Sequence, residues 1–163
     1  MNNAFQLELR HATPEDADVL LPMMRALEHD DTGATPFDEA HRRRIFEQFV
    51  CDPTFGRVWF IENAGQRAGY VILTIGFSFE YRGKESFIDE LYVLPEFRNR
   101  GIAAQAMNLV VQAARELDIS AIHLEVSTCN EPALSLYRRL GFEHHDRTLM
   151  TKWLLKASGK TTI

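Results

Sequence analysis

Several features that would narrow the function are scarce or missing in this chain of 163 residues. It holds only two cysteines, Cys51 and Cys129, and neither belongs to a C-x-x-C pair, which argues against a disulfide framework or a metal site. No apolar run approaches the roughly 20 residues that a membrane helix requires. The amino-terminal residues lack a basic stretch followed by an apolar one, so we expect no signal peptide. These absences predict a cytoplasmic protein that binds neither a membrane nor a metal.

Positive charge is also in the minority. Lys and Arg together number 18 against 23 for Asp and Glu, which gives a net charge of −5. Nucleic-acid-binding proteins usually carry a basic stripe, so we expect no nucleic-acid partner. An excess of carboxylates is instead compatible with a small cationic molecule as the partner.

The alternation of apolar segments and turn residues predicts a single mixed α/β domain over residues 1–163. Its ordered core is expected over about residues 5–155, followed by a polar tail at 156–163. Strands are predicted at 5–10, 85–93, 120–126 and 144–155, with a hairpin at 56–81 that turns at Gly65. Helices are predicted at 14–28, 38–50, 101–117 and 130–140.

One turn places two cations and a glycine at the mouth of a helix. Residues 98–103 read RNRGIA and lie between an apolar strand and an apolar helix. A helix N-terminus leaves about four backbone N–H groups unpaired and carries partial positive charge. Gly101 lets a ligand approach the backbone, and Arg98 and Arg100 add positive charge. The turn therefore predicts a phosphate or pyrophosphate site, although it lacks the G-x-G-x-x-G fingerprint of dinucleotide-binding proteins.

In its context this turn resembles the cofactor signature R/Q-x-x-G-x-G/A of the GNAT superfamily of N-acetyltransferases. The matching residues are Arg98, Asn99, Arg100, Gly101, Ile102 and Ala103. Farther along the chain the family's order of an Asn, a small residue, a Tyr and a Gly-Phe recurs as Asn130, Ala133, Tyr137, Gly141 and Phe142. The resemblance covers most of the chain, residues 5 to 155.

The resemblance implies a fold and a cofactor. The fold would be a central, mixed but mostly antiparallel twisted sheet, splayed at a β-bulge and flanked by helices. The pantetheine arm of acetyl-CoA would insert beside the backbone of Leu91, Tyr92 and Val93, and its pyrophosphate would bind the backbone N–H groups of residues 98–103. Asn130 would contact the cofactor arm, and Tyr137 matches the general acid that protonates the departing thiolate. The family chemistry needs no metal.

The segment FIDEL supplies the candidates for the base. Asp89 and Glu90 are adjacent, so they point to opposite faces of an ideal strand and only one can face the acceptor. The chain most resembles the diamine and polyamine acetyltransferases, including the thialysine-type enzymes. Their base falls on Asp89, and an acidic substrate-binding residue at the end of their first helix falls near Glu28. The chain departs from their pattern in having Ala103 where Gly is usual and Asp where Glu is usual at the base position.

The resemblance implies direct transfer of an acetyl group from acetyl-CoA to a primary amine in a ternary complex. A small cationic amine is the expected acceptor, either a diamine or polyamine or a lysine-like amine. An amino acid, an aminoglycoside or a protein N-terminus is the alternative within the same enzyme class. A CoA-binding sensor without turnover is the alternative from another class. A homodimer is also expected, since many family members pair through their C-terminal strands.

Overall fold

A computed structural model describes residues 7–30, 37–152 and 154. It contains one sheet whose strands follow the chain order: β1 (Leu7–His11), β2 (Gly56–Asn63), β3 (Gln66–Ser78), β4 (Gly83–Val93) and β5 (Ile119–Leu124). Strands β1 to β4 pair in antiparallel fashion, whereas β5 is parallel to β4. The flanking helices are α1 (Ala17–Asp30), α2 (Glu39–Cys51), α3 (Ile102–Glu116) and α4 (Glu131–Arg139). This architecture confirms the predicted fold class.

Turn and cap residues set several of these boundaries. The β2–β3 hairpin turns through Ala64 and Gly65, both with positive φ (49° and 75°), a conformation that glycine adopts without steric cost. Helix α2 begins where the Asp38 carboxylate accepts a hydrogen bond from the His41 N–H at 3.0 Å. These local signals explain why the predicted helices and the hairpin agree with the observed ones to within a few residues.

The sheet separates two apolar layers. Along β3, Tyr70 and Ile72 face the layer that contains the buried side chains of α1 and α2. Val71 and Leu73 face the opposite layer, which contains the buried side chains of α3. This alternation follows from the two-residue period of a strand, and it gives β4 the same two distinct faces.

The predicted strand at 144–155 is wrong for the residues that the structure describes there, 144–152 and 154, none of which is in a strand. Leu149 and Met150 are 72% and 88% exposed, so this segment buries little apolar surface against the sheet. Strand preference depends mainly on such burial and cross-strand packing. An exposed ion pair at 2.8 Å links Arg147 of this segment to Glu80 of the β3–β4 turn.

The predicted tail at 156–163 lies outside the described residues, as do residues 5 and 6 of the predicted first strand. The extent of the single domain stays a prediction.

Candidate active site

A β-bulge divides β4 into two halves. Against β3, Leu73 pairs with Ile88 and Ile72 pairs with Glu90, which leaves Asp89 as the extra residue. Against β5, the pairing ends where Ile88 meets Leu124. Beyond the bulge, residues 91–93 therefore pair with β3 on one edge and, within the described chain, with no strand on the other. The sheet splays here, and the free edge offers backbone groups to an extended ligand.

The predicted phosphate turn lies at the end of this free half of β4. Asn99 and Gly101 have positive φ (60° and 75°), and α3 begins directly after Gly101. The N–H of Gln105 donates to the Gly101 carbonyl at 3.1 Å, so the N–H groups of residues 102–104 precede the first bond of the helix. The first turn of α3 contains no acidic residue. This geometry suits an anion.

The two arginines of the turn have different surroundings. The Arg98 guanidinium donates to the Val93 carbonyl at 2.8 Å and to the Asp30 carboxylate at 2.9 Å. It also lies 5.3 Å from the centre of the Tyr92 ring. Arg98 therefore contacts both β4 and α1, and the Asp30 carboxylate partly offsets its charge. Arg100 is exposed and lies 6.0 Å from the centre of the Phe97 ring.

Asn130 and Tyr137 lie on α4, beyond the end of β5. The Asn130 carboxamide oxygen accepts from the Ala133 N–H at 3.2 Å and so caps the start of this helix. Tyr137 is half-buried and packs against the same apolar cluster as Leu91 and Leu124, a cluster that includes Ile88. The splay and the phenol thus share one apolar surface. Burial raises the pKa of Tyr137, so the phenol keeps its proton at neutral pH.

Carboxylates gather on the other face of β4, towards α1 and α2. The Tyr70 hydroxyl donates to Oε2 of Glu90 at 2.7 Å, and Nη1 of Arg42 lies 3.3 Å from Oε1 of Glu90. Nη2 of Arg42 also bonds Glu28. Burial raises the pKa of Glu90, partly opposed by these hydrogen bonds. Asp89, in contrast, is exposed at the bulge.

These contacts join the predicted substrate-binding Glu28 to Glu90, through an arginine, rather than to Asp89. The sequence did not point to Arg42 or Tyr70, because each lies in an ordinary stretch of α2 or β3 with no motif around it. Their contacts with Glu90, next to the bulge, are what identify them as residues of the candidate site.

Two further predictions concern absences. Among the residues described, no group of three or more His, Cys, Asp or Glu side chains could hold a metal ion. The described helices include none that is long and apolar enough to cross a membrane. The homodimer, the cytoplasmic location and the lack of a nucleic-acid partner stay predictions.

The sequence matches the model of the Acetyltransferase (GNAT) family over residues 21–142. The chain belongs to this family. It is an acetyl-CoA-dependent N-acyltransferase by that membership, and acetyl-CoA is its acyl donor.

Two relatives and one solved structure are similar over long stretches. A thialysine N-epsilon-acetyltransferase of Mus musculus is 24% identical over 159 residues, which cover 90% of this chain and 88% of that protein. The uncharacterized N-acetyltransferase YjgM of Escherichia coli is 34% identical over 94 residues, which cover 56% of this chain and only 53% of the relative. The integron cassette protein HFX_CASS3, from the mobile metagenome of Cole Harbour Salt Marsh, is 31% identical with a TM-score of 0.79, and 91% of each chain is covered.

Proposed function

We propose that this GNAT enzyme acetylates the primary amine of a small cationic acceptor, either a diamine or polyamine or a lysine-like amine. The observation that carries the proposal is the set of carboxylates at the bulge, where Asp89 is exposed and Glu90 is joined to Glu28 through Arg42. A cationic amine is favoured beside carboxylates. The similarity to the thialysine acetyltransferase of Mus musculus supports the same acceptor class.

The cofactor would lie along the free half of β4. We assign the pantetheine arm to the backbone of Leu91, Tyr92 and Val93, because β5 leaves that edge unpaired. The pyrophosphate would bind the N–H groups of residues 98–103 at the start of α3. Asn130 would contact the arm from the start of α4, while its side chain also caps that helix.

The reaction must remove protons from the amine and deliver one to sulfur. A lysine-like amine has a pKa near 10.4, so only about one molecule in a thousand is neutral near pH 7.4. A carboxylate takes one proton from the ammonium, and the neutral nitrogen attacks the thioester carbon. The nitrogen–carbon bond forms, the carbon–sulfur bond breaks, and the Tyr137 phenol donates its proton to the thiolate. The second proton of the nitrogen restores the phenol, and the carboxylate returns its proton to solvent.

Asp89 and Glu90 remain the two candidates for the base, and the geometry supports them differently. Asp89 is exposed and is the extra residue of the bulge, where an acceptor can reach it directly. Glu90 is half-buried, and its raised pKa makes its carboxylate a stronger base than an exposed one. Variants of each residue, compared below, distinguish the two candidates.

The proposal is tested by thiol release from acetyl-CoA with a panel of amines. Putrescine, spermidine, lysine and thialysine represent the proposed acceptors, and butylamine is the control that matches putrescine in length but lacks the second cation. Aminoglycosides, neutral amino acids and short peptides represent the alternatives. We expect putrescine or a lysine-like amine to exceed butylamine in kcat/KM by about tenfold or more, since one ion pair in a partly buried site is worth about 1–2 kcal/mol.

Turnover confined to aminoglycosides, peptides or neutral amino acids would retain the GNAT activity and reject the proposed acceptor. Binding of acetyl-CoA without turnover on any amine would favour the sensor alternative.

A further inference from the structure

Beside the bulge, two residues outside the family signature each contact a different oxygen of the Glu90 carboxylate. Tyr70 on β3 has no exposed surface, and its hydroxyl donates to Oε2 of Glu90 at 2.7 Å. Arg42 on α2 approaches Oε1 of the same carboxylate at 3.3 Å. Each oxygen of Glu90 therefore has its own donor, and the donors come from different layers of the fold. Such two-sided contact restricts the rotation of a carboxylate about its terminal bond.

The charged groups around Glu90 come from three elements, whereas β3 contributes the neutral Tyr70 hydroxyl. The α2 helix contributes Arg42, α1 contributes Glu28 through Arg42, and β4 itself contributes the neighbouring Asp89. Two carboxylates, Glu28 and Glu90, thus share one guanidinium. Glu90 can take up a proton without leaving Arg42 unpaired, because Glu28 remains bonded to it. This arrangement suits a carboxylate that changes its protonation state during each turnover.

The Tyr70 hydroxyl stays protonated and so remains a hydrogen-bond donor to Glu90. Burial and the adjacent Glu90 carboxylate raise the pKa of Tyr70 well above its ordinary value, so the hydroxyl stays protonated over the working range. Its hydrogen bond favours the ionised form of Glu90, whereas burial favours the protonated form. The two effects oppose each other at a single group. Removal of the Tyr70 hydroxyl should therefore raise the pKa of Glu90.

We propose that Tyr70 and Arg42 are positioning residues for proton transfer, and that they hold Glu90, rather than Asp89, as the carboxylate that accepts the proton of the amine. This inference rests on the proposed acetyl transfer to a primary amine. In the step concerned, one N–H bond of the ammonium breaks and one O–H bond forms on Glu90. Asp89 then contributes negative charge at the mouth of the site and does not take the proton.

The test compares Tyr70→Phe with Tyr81→Phe, which removes a hydroxyl from a tyrosine outside this network. The first measurement is the titration of the Glu90 carboxyl by ¹³C NMR, with the resonance assigned by its loss in Glu90→Gln. The second is the pH dependence of kcat/KM for the best amine. Acetyl-CoA affinity, measured by calorimetry, checks that each variant is folded and binds its cofactor.

We expect Tyr70→Phe to raise the Glu90 titration, and with it the acid limb of the rate profile, by about one pH unit, which corresponds to one hydrogen bond. The variant should approach the wild-type rate at high pH, and Tyr81→Phe should leave both curves in place. Arg42→Met should shift the limb in the same direction, and Arg42→Lys should restore part of the shift because it keeps the charge. Glu90→Gln should remove the limb, whereas Asp89→Asn should not.

An unmoved Glu90 titration in Tyr70→Phe would overturn the inference, as would a rate limb that disappears in Asp89→Asn and persists in Glu90→Gln. Either result leaves the proposed acetyl transfer intact, because the amine panel decides that question separately. Absence of turnover with every amine would contradict the proposed function and the base role of Glu90 together. The NMR titration would still decide whether Tyr70 holds the carboxylate.

Discussion

The free edge of β4, where we propose that the cofactor binds, and the α1–α2 face of β4, where we propose that the acceptor binds, offer different kinds of contact. On the cofactor side, the assigned contacts are backbone groups of residues 91–93 and of the turn before α3, and they follow one another in the chain. On the proposed acceptor side, the polar groups are side chains of Glu28, Arg42, Tyr70 and Glu90, which come from four separate elements. A backbone site tolerates side-chain changes that leave its conformation intact. A side-chain site can be altered one residue at a time.

The largest expected effect belongs to the phenol beside the splay. Tyr137→Phe removes the proposed donor to sulfur and keeps the apolar ring that packs against the cluster containing Ile88. We expect kcat to fall by about 10²–10³-fold, a typical contribution of general acid catalysis. Acetyl-CoA affinity should stay within about twofold, since the ring remains. Steady-state kinetics and calorimetry measure the two quantities, and an unchanged kcat would reject the role of Tyr137.

A second prediction tests the backbone character of the cofactor side. Gly101→Ala places a side chain at φ 75°, a left-handed conformation that costs other residues about 1–2 kcal/mol. We expect acetyl-CoA affinity to fall by about three- to tenfold as the turn relaxes away from its anion-binding shape. The KM for the amine should change little.

Gly65→Ala is the matched control, because Gly65 has the same φ of 75° and a Cβ added at either glycine would meet no close neighbour, the nearest being Gln105 at 3.8 Å from the Cβ of residue 101. It should lower stability by a similar amount and leave acetyl-CoA affinity unchanged. Equal losses of affinity in the two variants would show that the effect reports stability rather than the turn.

The third prediction concerns the effect of the Glu90 carboxylate on the stability of the fold. Burial raises the pKa of Glu90 above its ordinary value of 4.5, so folding favours the protonated form. The stability that this group contributes is fully present below pH 4.5 and is lost as the pH rises through the folded pKa. Glutamine is neutral throughout, so Glu90→Gln should be at least as stable as the wild type at pH 8. Its relative advantage should diminish as the pH falls towards 4.5.

Urea unfolding at several pH values measures this difference, and a Glu90→Gln variant that loses stability at pH 8 would contradict it. In that case the hydrogen bonds to Tyr70 and Arg42 would outweigh the cost of burying the charge. Glu90 would then have a structural role as well.

The smallest effect is expected where the two sides are connected. Asp30, the last residue of α1, pairs with Arg98 of the phosphate turn, and the two side chains are 49% and 42% exposed. Exposed ion pairs contribute about 0–1 kcal/mol, so Asp30→Asn should change acetyl-CoA affinity and stability by less than about fivefold and 1 kcal/mol. Calorimetry in low and high salt measures the affinity. A larger loss would mean that α1 helps to shape the cofactor turn.

Much of the fold could be predicted because its signals are local. The alternation of β2 and β3 around Gly65, the cap at Asn130 and the glycine before α3 each depend on a few neighbouring residues. The last predicted strand failed for a nonlocal reason. Residues such as Leu149 and Met150 favour a strand only when a sheet face buries them, and the structure leaves them exposed.

The site divides in the same way. The proposed cofactor side could be predicted from residues 98–103 and from the spacing of Asn130 and Tyr137, since each lies within one short segment. The bulge at Asp89 was implied only through the family resemblance, and register against β3 locates it. The contacts of Arg42 and Tyr70 with Glu90 had no signal in the sequence, because their partners are 48 and 20 residues away along the chain.

The order of helices and strands as far as α4, the glycine at the start of α3 and the membership of the GNAT family follow from the sequence alone. These depend on backbone conformation and on residues close together in the chain, for which short-range physical preferences suffice. Tertiary packing sets which carboxylate is buried, which arginine has an ion-pair partner and where the pairing of β5 with β4 ends. Those properties depend on packing between distant segments, because burial lowers the local dielectric and so strengthens electrostatic interactions and hydrogen bonds.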